Sequence, residues 1–174
     1  MTIEEYLEAE RHSEVRHEFV GGLRLPMPAS TRRHGAITLN ILTALDDIAV
    51  ARGCELHALD IMTRTVGGRI RYPDIVLSRD PGNHRYFLEN PCFIAEVTSD
   101  STADTDHGKK LEEYSRIPSL ERYAIVSQVE RLVVLYDLRD GSRTFEVISE
   151  MGDFAVPCLE TRLNLDQIYA GVTF

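Results

Sequence analysis

The chain has 174 residues, of which 43% are hydrophobic and 27% charged, which suits one soluble globular domain with a real core. No apolar run approaches the length of a membrane span, the polar opening Thr2-Ile3-Glu4-Glu5 does not read as a signal peptide, and none of the three cysteines forms the CxxC pair of a zinc site. The net charge of −9 counts against a strong non-specific DNA binder, because phosphate neutralisation drives such binding.

Cys54, Cys92 and Cys158 are widely spaced in apolar settings and read as reduced core thiols of a cytoplasmic protein. Thr2-x-x-Glu5 has the pattern of a capping box, and Ile3, Tyr6 and Leu7 predict a short amphipathic helix behind it. His17 to Leu25 reads as strand, turning at Gly21-Gly22 and ended by Pro26 and Pro28. Ile37, Ile41, Leu45 and Ile48 recur at helical spacing, so a long helix is expected from Ser30 or Thr31 to Arg52, with Gly53 beyond its end. Cys54 to Val66 reads as one strand, and Gly67-Gly68 as a hairpin turn before the next.

Two strands then carry acids. In Arg71-Tyr72-Pro73-Asp74-Ile75-Val76-Leu77, Pro73 lacks an N–H and belongs at a strand start or edge, with Asp74 directly after it. In Phe93-Ile94-Ala95-Glu96-Val97-Thr98, alternation puts Phe93, Ala95 and Val97 on one face and Ile94, Glu96 and Thr98 on the other. A carboxylate among apolar residues is costly to bury unless something pairs with it. The polar loop from Ser78 to Asn90 suits two neighbouring strands, which would bring Asp74 and Glu96 together. Two carboxylates with backbone oxygens make an oxygen-rich site suited to Mg²⁺ or Mn²⁺.

Next, a helix capped near Ser101 to Asp104 is expected to run to about Arg116, with Leu111, Tyr114 and Ile117 apolar and with Asp106, Lys110 and Tyr114 on one side. Arg122 to Ser127 and Leu132 to Leu138 read as strands, Asp140-Gly141 as a hairpin turn, and Thr144 to Ser149 as the returning strand. Leu163 to Tyr169 reads as a terminal helix capped by Asn164. The order of elements describes an α/β sandwich with a central mixed β-sheet flanked by helices.

Pro-Asp, then a strand with Glu, then a lysine resembles the PD-(D/E)xK nuclease superfamily. The finer pattern of Tyr72-Pro73-Asp74, then Glu96-Val97-Thr98-Ser99-Asp100-Ser101-Thr102, then Asp106-His107-Gly108-Lys109-Lys110 and Tyr114 resembles the Uma-type restriction endonuclease family. Arg16-His17-Glu18-Phe19-Val20-Gly21-Gly22 is similar to that family's YELIDGE opening, and Pro118 to Val126 to its GVPEYWLVD stretch, so the likeness spans nearly the whole chain. Two departures stand out. Thr98 occupies the position two after the glutamate where the superfamily usually has its lysine, and Ser127-Gln128 stands where the family usually has Asp-Pro.

The resemblance implies a restriction endonuclease-like core over residues 1–174 as one domain. It places the lysine on the helix that follows, at Lys110, with Lys109 the competitor one position away, and brings Glu18 near the metal. Each residue also has a plainer reading. Asp74 can begin a strand, Glu96 can be held by Arg71 or Arg122, Lys110 can pair with Asp106, Glu18 can sit on the surface, and His34 can be a cap, a phosphate contact or a surface residue.

The expected function is a metal-dependent endonuclease hydrolysing DNA phosphodiester bonds. Asp74 and Glu96 hold Mg²⁺ or Mn²⁺, and Lys110 positions the attacking water and offsets developing charge. A homodimer matches the two strands of a duplex, and no membrane is involved. The alternatives are a nuclease-fold protein without turnover, acting by binding nucleic acid or protein, and an enzyme acting on RNA.

Overall fold

The computed structural model describes residues 1–98 and 106–174. The capping box forms: Thr2 Oγ1 accepts the Glu5 N–H and the Glu5 side chain accepts the Thr2 N–H, starting α1 (Ile3–Arg11). β1 (His17–Val20) and β2 (Leu23–Pro26) pair antiparallel across Gly21-Gly22, whose positive φ values supply the turn. α2 (Arg32–Ala51) is capped by Thr31, whose hydroxyl accepts the His34 N–H, and Gly53 takes the left-handed conformation just beyond its end. Its face of Ile37, Ile41, Leu45 and Ala49 is buried, each large side chain contributing about 1.5–3 kcal/mol.

The stretch from Cys54 to Val66, expected as one strand, divides into β3 (Glu55–Ala58) and β4 (Met62–Arg64), which belong to different sheets. The chain breaks at Leu59, whose φ of 63° no strand tolerates. β4 and β5 (Ile70–Arg71) pair around the Gly67-Gly68 turn. Then come β6 (Ile75–Asp80), β7 (Phe87–Leu88) and β8 (Asn90–Thr98). Asp106–Lys110 forms a π-helical turn running into α3 (Leu111–Tyr114). The expected cap at Ser101 to Asp104, like the side chain of Asp106, lies outside what the structure describes.

β9 (Arg122–Ser127), β10 (Leu132–Asp137) and β11 (Thr144–Ser149) follow as expected. The terminal region is less helical than its pattern suggests. β12 (Asp153–Val156) and β13 (Thr161–Asn164) form a hairpin, and only Leu165–Ile168 is helix, α4, with Asn164 as its cap.

One sheet has the order β11-β10-β9-β8-β6-β3, with β8 and β9 parallel and the other pairs antiparallel, so it is mixed as expected. A second has the order β2-β1-β5-β4-β7. α2 and α4 cover one face of the first sheet, where Phe93, Ala95 and Val97 join Ile37, Ile41 and Leu45. On the other face Ile94 packs with Tyr114, Ile117, Tyr123 and Ile125. The alternation expected for β8 is therefore observed, and Glu96 lies on the side of Tyr114. α4 is held through Asn40, whose side-chain amide donates to the carbonyls of Ile168 and Ala170, and Tyr169, whose hydroxyl lies within hydrogen-bond distance of the Ser127 and Leu132 carbonyls.

The expectation of three reduced thiols needs correcting. Cys92 and Cys158 form a disulfide, and Cys54 alone remains a buried free thiol. Cys92 on β8 and Cys158 beyond β12 are 66 positions apart, a spacing that conceals their proximity within one core cluster.

Candidate active site

The site is built on the rung where β6 meets β8. Ile75 pairs with Ala95, and the next residues along the two strands are Asp74 and Glu96. Both are buried, at 7% and 3% exposure. Asp74 is fixed by its Oδ2, which accepts the Val97 N–H at 2.7 Å and lies 3.0 Å from His34 Nε2 at the first turn of α2. The Asp74 carbonyl accepts the Leu59 N–H, so both ends of the residue are tied down. The ring of His34 presents a second nitrogen, Nδ1, buried without a hydrogen-bond partner among the described residues.

Glu96 receives two groups from one helical face. Tyr114 Oη donates to Oε1 at 2.9 Å, and Lys110 Nζ lies 3.0 Å from Oε2. Lys110 and Tyr114 are four residues apart, so the turn and α3 present both toward the same strand. Burial, then the Glu96 charge, raises the Tyr114 pKa well above its ordinary value, so the phenol stays a donor. Arg71 and Arg122 do not hold Glu96. Arg122 pairs with Asp137 and Arg71 has its own acids.

Those acids extend the site into a chain of charges. Lys110 Nζ stands 3.9 Å from Glu18 Oε1, and Glu18 Oε2 is 2.5 Å from Arg71. Arg71 grips Glu113 with two hydrogen bonds of 2.8 Å, and Arg69 approaches the same carboxylate at 3.5 Å. Burial alone would lower the Arg71 pKa, but the Glu113 hydrogen bonds and the charges of Glu18 and Glu113 reverse this and raise it. The chain joins three elements: β1 supplies Glu18, β5 supplies Arg71, and the turn with α3 supplies Lys110 and Glu113.

Glu18, His34, Arg71, Asp74, Glu96 and Lys110 line a cavity of about 430 Å³, with an apolar lip from Leu25 to Ala29. The cavity thus brings Asp74, Glu96 and Lys110 together with Glu18 and His34. Lys109 also borders the cavity, but it is exposed, whereas Lys110 is 9% exposed and bonded to Glu96. His107 stands apart, 3.4 Å from the Tyr136 hydroxyl.

Tyr114, Arg69, Glu113 and Gln128 were not read from the sequence as site residues, and Arg71 only as a possible partner of Glu96. Tyr114 had a signal, its spacing of four from Lys110. Gln128, in the place of the usual proline, is buried and accepts the Thr31 hydroxyl at 2.5 Å, joining the cap of α2 to the end of β9.

The donor set bears on whether a metal fits. Asp74 and Glu96 offer only oxygen, the ligand preferred by Mg²⁺ and Mn²⁺. Among the described residues no three His, Cys, Asp or Glu side chains form a complete metal cage. Mg²⁺ commonly takes one or two protein carboxylates and completes its shell with water and substrate oxygens.

The family Uma2, described as "Putative restriction endonuclease", matches residues 3–167. Two proteins of Synechocystis sp. (strain PCC 6803), both titled "Uncharacterized protein", are similar throughout. One, slr1290, is 26% identical and covers 98% of this chain and 92% of its own length. The other, sll1609, is 29% identical and covers 89% and 90%. Among solved structures, that of "a putative nuclease belonging to DUF820" from Anabaena variabilis superposes with a TM-score of 0.80 over 99% of both chains. At 19% identity, that likeness shows a shared fold.

Proposed function

The chain belongs to the Uma2 family of restriction endonuclease-like proteins, and from that premise we propose that it is a metal-dependent endonuclease cleaving DNA phosphodiester bonds. The whole chain acts as one nuclease domain in this reading. The observation that carries it is the meeting of Asp74, Glu96 and Lys110 in a single cavity, with the lysine amine 3.0 Å from the glutamate.

Asp74 and Glu96 are the residues that would hold Mg²⁺ or Mn²⁺. Such an ion supplies polarisation of the scissile phosphate and a lowered pKa for water. The residues of the chain do the rest. Val97 N–H and His34 fix the Asp74 carboxylate, and Tyr114 fixes that of Glu96, so both are oriented before substrate arrives. Lys110 gives the site a cation that can orient the attacking water and offset charge on the phosphoryl oxygens. Glu18, backed by Arg71, keeps that amine over the cavity. Two copies of the enzyme suit the two strands of a duplex.

The test is cleavage of supercoiled plasmid in Mg²⁺ or Mn²⁺ by the wild type, Asp74→Asn, Glu96→Gln and Lys110→Met, with folding checked by circular dichroism. Nicking by the wild type, lost in each folded variant, is the expected result. A wild type that binds no metal and cuts neither DNA nor RNA would leave the fold as a binding module. Cleavage of RNA alone would reassign the substrate.

A further inference from the structure

We infer that β11 is the surface through which two copies of this chain pair, strand to strand, into a continuous twelve-stranded sheet. β11 ends the six-stranded sheet, so its outer row of backbone N–H and C=O groups has no strand partner among the described residues. It runs six residues in unbroken register with β10 and carries none of the proline, bulge or shortness by which sheet edges are kept from pairing. The other edges of the two larger sheets are shorter, with β3, at the far side of the same sheet, having four residues. β2 has four residues and ends in Pro26, and β7 has two.

The side chains of β11 add an apolar surface. Phe145 is 63% exposed and Val147 55%. Each stands beside a half-buried residue of β10: Val147 is paired with Val134, and Phe145 with Tyr136, their rings 5.7 Å apart. The four make one apolar patch that reaches the sheet's edge, the arrangement expected where a further strand continues the sheet.

The occupant that fits is a second copy, because the edge complements itself. A two-fold axis normal to the sheet pairs residues antiparallel and keeps like faces together. With the axis at Val147, that residue faces the partner's Val147, and Phe145 lies diagonally across from the same residue, within reach of an aromatic ring. Glu146 then faces the partner's Ile148, so no acid opposes an acid. Centring the axis on Glu146 would instead set two carboxylates face to face, which disfavours that register. Two-strand cleavage by this dimer rests on the proposed nuclease reading, but the interface does not.

The experiment is sedimentation velocity of the whole chain without DNA, from low to high micromolar concentration, on the wild type, Asp74→Asn, Val147→Lys and Phe145→Ser. The wild type and Asp74→Asn are expected to dimerise alike. Val147→Lys should weaken association more than about tenfold with an unchanged circular dichroism spectrum, since the lysine would be buried unpaired. In a Cys54→Ala background, Val147→Cys should oxidise to a covalent dimer, and Thr144→Cys should not. A monomeric wild type at the highest concentration, or a dimer indifferent to Val147→Lys and uncrosslinked by Val147→Cys, overturns the inference, and the patch then serves another partner. None of these results depends on catalysis, so failure here and failure of the nuclease reading are separable.

Discussion

Lys110 Nζ meets Glu96 Oε2 at 3.0 Å although the two residues come from different elements, a π-helical turn and the central strand β8. The partner two residues after Glu96 is Thr98, whose hydroxyl donates to the Val126 carbonyl at 3.4 Å and belongs to the seam between β8 and β9. The cation thus reaches the acid from outside the strand, and the prediction for Lys110 follows. Lys110→Met should lower the cleavage rate by about 10²–10³-fold, the cost typical of losing one preorganised charge-stabilising group. Lys109→Met, altering an exposed side chain, should stay within a few-fold of wild type. Single-turnover cleavage by the two variants checks both.

Tyr114→Phe removes the donor to Glu96 Oε1 and keeps the ring that packs edge-on against Tyr123 at 5.2 Å. Removing this donor from a buried carboxylate should cost about 1–3 kcal/mol of stability, read by urea unfolding. The same variant should lower cleavage without abolishing it, because Lys110 still holds Oε2.

Arg71 neutralises two acids from a site 2% exposed. Arg71→Met should destabilise the fold by up to about 3–5 kcal/mol, because Glu18 and Glu113 lose their close buried partner and keep only the longer contacts to Lys110 at 3.9 Å and Arg69 at 3.5 Å. Arg71→Met with Glu113→Gln should recover part of that loss. Thermal unfolding of the single and double variants measures the coupling.

The disulfide gives a direct count. Thiol titration of the denatured chain should find one thiol before reduction and three after it. Opening a cross-link of 66 positions should cost about 4 kcal/mol in the chain-entropy view, visible as a lower unfolding temperature in reductant.

Asp137 supplies a pH test. Hydrogen bonds from the Arg139 side chain lower its pKa, burial opposes them, and the Arg139 N–H and the charges of Arg122 and Arg139 lower it further. A carboxyl whose pKa is depressed on folding stabilises the native state above its ordinary value of about 4, and this contribution fades as pH falls through the depressed value. The stability difference between wild type and Asp137→Asn, measured from pH 7 down to pH 3, should therefore shrink across the acid end.

Much of this was legible in the residues. The capping box at Thr2, the caps at Thr31 and Asn164, and the alternation of β8 are local rules, and each appears in the structure. Asp74 and Glu96 were also legible as neighbours, because a turn-rich loop between two strands implies an antiparallel pair. What escaped was non-local. The Arg71 chain joins residues from Glu18 to Glu113 through three elements, and no spacing announces it. The pairing of Cys92 with Cys158 escaped for the same reason. The break at Leu59 escaped because a leucine with positive φ is imposed by tertiary structure against its own preference.

The placement of Lys110 has a consequence for how such a site changes over time. Because the cation does not share the strand with the acid, β8 pairs with β9 without interruption through Thr98 and Ser127. The sheet that frames the acids and the turn that bears the amine are separate elements. Under the proposed nuclease reading, substitutions confined to one short turn would retune the amine while the sheet that holds the acids keeps its register.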